Sequence, residues 1–163
     1  MASAQTQVAA GHATEILALT LYAEAGTRPV RAIEALAALV VNRARAALAD
    51  DQARLRFAPS LRQAAPHQAA LWPLLLGAVC RAPFQFPCWN PRHARHAVLR
   101  QLPVGDAALA VCRRIAARAA AGSLADPTGG ATHLHDAAAL PAWAVGQVAL
   151  AEIGGLVFYR LAS

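Results

Sequence analysis

Between Thr14 and residue 49, apolar residues recur at helical spacing on both sides of a single break, Gly26-Thr-Arg-Pro29. Two amphipathic helices joined this tightly must share a core, so the pattern constrains the fold more than any other feature. Leu17, Leu21 and Ala25 form the first stripe, with Thr14 placed to cap it and Gly26 expected to end it in the left-handed conformation. The second helix is predicted from the Thr27 cap and Pro29 in the first turn to about residue 49. Its apolar face is Ile33, Leu36, Ala37, Val40, Val41 and Ala44, and Arg31, Glu34, Arg43 and Arg45 lie mostly off it. The hydrophobic fraction of 57% excludes a disordered chain, and its alanine bias suits close-packed helices.

The next fifty residues change character. Pro59, Pro66, Pro73, Pro83, Pro87 and Pro91 break any long periodicity, so short helices and loops are expected there. Asp106 caps a further helix to about residue 121, with Leu109, Cys112, Ile115, Ala116 and Ala119 inward and Gly122 at its end. Asp126-Pro-Thr-Gly-Gly is turn chemistry, and the alternation in 131–135 predicts a strand. Pro141 is expected to open a last helix to about residue 153, Gly154-Gly155 to break it, and 156–160 to form a second strand. The expectation is one mainly α (α+β) domain over residues 14–163, with a small two-stranded β element near the C-terminus and a tail over 1–13.

Fifteen basic residues, all arginine, against nine acidic ones give a charge of +6 and point to an anionic polymer as partner. The arginines are scattered without an aromatic-interleaved stripe, so no nucleic acid is expected. No apolar run approaches the roughly 20 residues of a membrane span, and no basic n-region of a signal peptide is visible. Cys80, Cys88 and Cys112 are odd in number and lack Cys-x-x-Cys spacing, which reads as buried free thiols, with a Cys80–Cys88 bridge as the alternative for an exported protein.

Glu24 carries the chemistry. A carboxylate in the last turn of an apolar helix faces the negative end of the helix dipole, and both surroundings disfavour its charged form. Protonating a glycosidic oxygen requires such an acid. The segment Phe84-Gln-Phe-Pro-Cys-Trp-Asn-Pro91 concentrates rings and amides that suit sugar faces and hydroxyls, and makes Gln85, Trp89 and Asn90 candidates for one cleft wall. Thr132, His133 and Tyr159 are candidates for the other. Tyr22 is expected to face away from Glu24. Asn42 either satisfies a backbone group or lines a cleft. His133 and His135 share one face of a strand but lack a third ligand, so no metal is expected. Glu15, Glu34, Asp50, Asp51, Asp106, Asp126, Asp136 and Glu152 read as caps, turns or outer faces. A two-carboxylate hydrolase needs its acids about 5 to 9 Å apart, and no partner for Glu24 is evident. A one-acid route follows.

Five motifs in order, Leu-Tyr-Ala-Glu-Ala-Gly (21–26), Val-Val-Asn-Arg (40–43), Phe-Gln-Phe-Pro-Cys-Trp-Asn (84–90), Asp-Pro-Thr-Gly-Gly-Ala-Thr-His-Leu-His (126–135) and Glu-Ile-Gly-Gly-Leu-Val-Phe-Tyr-Arg (152–160), resemble the bacterial cell-wall hydrolase family that includes the SleB and CwlJ spore-cortex-lytic enzymes. The resemblance implies a lysozyme-like helical domain that cleaves peptidoglycan glycan strands. It further implies lytic transglycosylase action leaving 1,6-anhydro-muramoyl ends, and matches Glu24 to the family's catalytic glutamate. A monomer without cofactor, acting on the wall in the periplasm or at the outer face, is expected. Two other readings stay open at this point: a wall peptidase or amidase using Cys88 with His133, and a basic module that only adheres to wall glycan or nucleic acid.

Overall fold

In the computed structural model, which describes residues 3–63 and 71–162, a helical body carries a three-stranded sheet against one end. The helices are α1 (Ala4–Ala25), α2 (Val30–Ala49), α3 (Asp51–Phe57), α4 (Leu71–Arg81), α5 (His96–Arg100) and α6 (Ala107–Ala120). The strands are β1 (His133–Asp136), β2 (Ala151–Ile153) and β3 (Leu156–Tyr159), all antiparallel in the order β1-β3-β2. Pro66 and the first two residues of the expected tail lie outside the described residues. Among the described residues no helix is long and apolar enough to cross a membrane.

Helix α1 packs against α4 and α6, and α2 against α3, α4 and α6. Leu17, Leu21, Ile33, Leu36, Leu39, Val40, Leu75, Leu76 and Val79 are all at most 2% exposed, and the buried alanines between them let the helices approach closely. At Gly77 a methyl group would already press on Ala13 of α1. The expected α2 and α6 are present, and the Asp106 side chain caps α6 by accepting from the Leu109 N–H at 2.9 Å.

Several boundaries differ from the sequence reading. Helix α1 starts at Ala4 with Ser3 as its cap, which leaves Thr14 in the interior, where its hydroxyl donates to the Ala10 carbonyl. Gly26 is right-handed, at φ −63°. Glycine is needed there because a Cβ would fall 2.5 Å from the Tyr22 carbonyl oxygen. Arg43, expected off the apolar face of α2, is buried. Its Nε donates to the Thr132 carbonyl at 2.7 Å, its guanidinium lies over Phe57 and Phe86, and burial pushes its pKa down to about 10.

The expected last helix is absent. Residues 142–144 form one 3-10 turn, Gly146 has φ +79°, and 151–153 is strand β2. Gly154 and Gly155, at φ +58° and +80°, are the two-residue turn of a β2–β3 hairpin, so the small sheet has three strands where two were expected. That turn sits on the start of α2: a Cβ on Gly154 would meet Ala32, one on Gly155 would meet Arg28, and Arg28 donates to the Gly154 carbonyl. The sheet is thereby fixed beside the α1–α2 junction, close to Glu24.

Candidate active site

Helix α1 grips the irregular segment twice at helical spacing. Thr20 Oγ1 accepts from the Trp89 indole N–H at 2.9 Å, and one turn later Glu24 Oε1 accepts from the Cys88 backbone N–H at 2.9 Å. Both partners lie on the 3-10 turn Pro87–Trp89. His96 of α5 secures that turn from the far side, its Nδ1 donating to the Cys88 carbonyl at 2.8 Å. Glu24 is thus positioned by a backbone donor rather than left in solvent: its side chain is only 7% exposed.

The second carboxylate oxygen, Oε2, is paired with Arg95, whose side chain is 43% exposed. The apolar surroundings expected for Glu24 are therefore replaced on one side by a guanidinium. Glu24 and Arg95 line a cavity of about 220 Å³ with Arg28, Gln85, His135 and Asp136, closed by Leu36, Phe86, Pro87, Leu134 and Leu156. Asp136 is the acid that sequence reading set aside. Its Oδ1 accepts from the Ala138 N–H and its Oδ2 is paired with Arg28. The Ala138 N–H and then Arg28 hold its pKa below the usual carboxylate range against desolvation, and the charge of Arg95 contributes in the same direction.

His135 stacks on Tyr159 and its ring nitrogens are both engaged. Nδ1 must donate to the Asp136 carbonyl at 2.7 Å, so in the neutral ring Nε2 accepts from the Tyr159 hydroxyl at 2.9 Å. Tyr159 itself is buried and reaches the pocket through His135. Among the other anticipated residues, Gln85 shares the Glu24 pocket, while Trp89 and Asn90 line an adjoining cavity. Thr132 and His133 line a third cavity with Arg56. His133 and His135 share a face as expected, on either side of Trp143. Tyr22 packs against the core away from Glu24, within electrostatic reach of Asp106 and Cys112. Asn42 donates to Asp126 Oδ2 and to the Ala131 carbonyl, both at 3.0 Å, which makes it a strut under the loop before β1.

Arg28 and Arg95 escaped the sequence reading, and His135 and Asp136 were weighed there only as a metal-ligand candidate and as a cap, turn or outer-face acid. Arg95 meets Glu24 across 71 residues of proline-broken chain, where no periodicity leads from one to the other. Asp136 carried a usable signal, since it stands two residues past Leu134 on an alternating strand and so on Leu134's face.

The pairing of Cys88 with His133 is not formed. Cys88 is fully buried, its thiol and backbone N–H are directed at Glu24, and burial and then the charge of Glu24 push its pKa far up. Cys80 and Cys112 are also buried free thiols, with pKa values raised by burial to about 12 and about 11. A thiol held protonated is a poor nucleophile.

Comparison with known proteins gives one family and one fold. The model of the cell wall hydrolase family matches residues 28–159. The catalytic domain of the Bacillus cereus SleB protein superposes with TM-score 0.58 at 17% identity, over 92% of this chain and 91% of that one. The catalytic domain of the germination-specific lytic transglycosylase SleB from Bacillus anthracis gives TM-score 0.56 at 17% identity, over 91% and 93%. No curated protein matches the chain. With the family model covering most of its length, including Asp136 and the sheet that closes the Glu24 pocket, the chain belongs to the cell wall hydrolase family.

Proposed function

We propose that the protein degrades peptidoglycan as a lytic transglycosylase, with Glu24 as the single acid and base. The observation that carries the reading is one nearly buried carboxylate, Glu24, in a cavity whose other acid, Asp136, is more exposed and is held below the usual carboxylate range by the Ala138 N–H and Arg28. Asp136 has one oxygen on a backbone N–H and the other on Arg28, contacts that fix its orientation and favour its charged form, so we assign it to holding Arg28 rather than to giving a proton. Glu24 has a partner that can leave. Arg95 is half-exposed and close enough to Asp136 to influence its ionisation, which gives its guanidinium a second carboxylate to turn to when a sugar enters.

In this sequence of events the sugar excludes water and takes Arg95's place beside Glu24. Glu24, freed from Arg95 and protonated from solvent as the sugar enters, then gives that proton to the leaving glycosidic oxygen of the MurNAc-GlcNAc bond. As a carboxylate it next accepts the proton of the muramoyl C6 hydroxyl, whose oxygen closes on C1 to give the 1,6-anhydro end. The Cys88 N–H keeps Oε1 in place throughout, and Gln85 is the neutral donor and acceptor for substrate hydroxyls. The likeness to a germination-specific lytic transglycosylase supports the same chemistry.

The test replaces each acid in turn. Glu24→Gln is expected to release no soluble muropeptides while remaining folded, and Asp136→Asn to retain anhydro product at a reduced rate. Loss of all product in Asp136→Asn, with the fold intact by circular dichroism, would indicate that two carboxylates are needed. Iodoacetamide is expected to leave both native thiols and activity untouched, which a cysteine nucleophile would not allow.

A further inference from the structure

Directly beside the Glu24 pocket, and sharing Phe86 and Pro87 with it, lies a cavity of about 580 Å³ that no step of the proposed reaction uses. Its rim contains the most unusual residue of the chain. Among the described residues Phe84 is the one residue other than glycine with positive φ, at +63°, and its side chain is completely exposed. It stands third in the turn Ala82-Pro-Phe-Gln85, closed by the Gln85 N–H on the Ala82 carbonyl at 3.2 Å. With proline second, a turn of this kind ordinarily has glycine third. An aromatic ring there costs backbone strain and exposes apolar surface to water, and neither cost is recovered by packing within the molecule.

Around it are the groups that recognise a sugar. The Arg81 guanidinium lies 5.3 Å from the Trp89 ring centroid, and Asn90, Arg92 and His93 complete the lining. Aromatic rings take the apolar face of a pyranose, while the amide and guanidinium N–H groups reach its hydroxyls and acid substituents. The continuity of the two cavities matters because a glycan strand cut internally must extend past a pocket of about 220 Å³, which is below the size that holds a drug-sized ligand.

We propose that this cavity is a subsite for a sugar of the glycan strand beyond the cleavage point, with the pyranose face against Phe84 and a muramoyl carboxyl group or acidic stem at Arg81 and Arg92. This inference rests on the glycan-cleaving reading of the Glu24 pocket and adds where the rest of the strand lies.

The experiment measures binding of peptide-free glycan strands and of chitotetraose to the full chain carrying Glu24→Gln, alone and combined with Phe84→Gly, Phe84→Tyr or Arg92→Gln, alongside melting temperatures. Phe84→Gly is expected to weaken glycan binding about tenfold while the melting temperature stays level or rises, because glycine suits the turn. Phe84→Tyr should retain binding, and Arg92→Gln should weaken the muramoyl strands but not the uncharged chitotetraose. Equal binding by the Phe84→Gly protein, or a lowered melting temperature that accounts for the loss, would overturn the proposal, as would a parent protein that binds neither glycan. Phe84-dependent binding in a wild type that releases no muropeptides would instead leave the subsite standing and remove the catalytic reading.

Discussion

The cavities at the two ends of β1 differ in a way that volume alone would misjudge. The one holding His133, Arg56 and Asp50 is about 400 Å³, nearly twice the Glu24 pocket. Yet the polar groups around His133 are already spoken for. Asp50 caps α3 through the Ala53 N–H at 2.7 Å. His133 Nε2 accepts from Arg56 at 3.4 Å, which leaves Nδ1 to donate to Thr132 Oγ1 at 2.9 Å. Burial, then Arg43 and Arg56, push the His133 pKa down to about 4, so at neutral pH it offers no proton. At both ends a partner reaches solvent, Arg56 at one and Arg95 at the other, but the Glu24 end presents a carboxylate only 7% exposed where the His133 end presents an imidazole kept neutral. A site is marked by the chemistry of the group it encloses, more than by the size of the space in front of it.

The sharpest way to break this comparison is to remove one polar group from each end. Glu24→Gln is expected to lower the rate of wall digestion by a factor of about 1,000, within the range for loss of a general acid. His133→Gln, measured in the same turbidity assay, is expected to change it by about twofold or less; a comparable loss there would erase the distinction. A smaller effect falls on stability. Asn42→Ala removes two hydrogen bonds, leaving the Ala131 carbonyl without its side-chain donor and Asp126 Oδ2 with only the Gly130 N–H, and urea unfolding should show a loss of about 2 kcal/mol. Inactivity without that loss would instead put Asn42 in the cleft.

The smallest effect is a pH dependence. His133 takes up its proton more readily unfolded, near the ordinary pKa of 6.5, than folded, near about 4. Its contribution to stability is therefore complete above pH 6.5 and declines as pH falls toward about 4, by about 1 kcal/mol once solvent screening of the half-exposed ring is allowed for. Asp126 adds a decline at lower pH. Burial works against its charge, but hydrogen bonds from Thr128, Asn42 and Gly130 outweigh it and hold its pKa below the usual range. The stability of His133→Gln, followed from pH 7.5 to 4.5, should be flatter than that of the wild type.

How much of this was legible follows from where each constraint lies along the chain. Helices α2 and α6 are written locally, in the spacing of Ile33, Leu36 and Val40 and in the Asp106 cap. The enclosure of Glu24 was legible as a placement, from its turn before Gly26, but its partners were not. Cys88 and Arg95 arrive from 64 and 71 residues away on a segment whose prolines erase periodicity. Residues 141–153 misled because alanine and valine satisfy a helix and an irregular run equally well, and the deciding signal was tertiary. Gly154 and Gly155 fold back onto Arg28 and Ala32, turning a presumed helix stop into a hairpin. Tyr159, expected at the cleft wall, supports His135 from beneath because β3 is the central strand and its Phe158 and Tyr159 are buried.

The central claim is that one enclosed carboxylate both gives and takes the proton. Mass spectrometry of the muropeptides released from purified peptidoglycan tests it most directly. Wild-type protein is expected to release fragments ending in 1,6-anhydro-muramoyl groups, and Glu24→Gln none. Fragments with ordinary reducing ends, heavier by one water, would contradict the one-acid route, and undiminished release by Glu24→Gln would contradict the site itself.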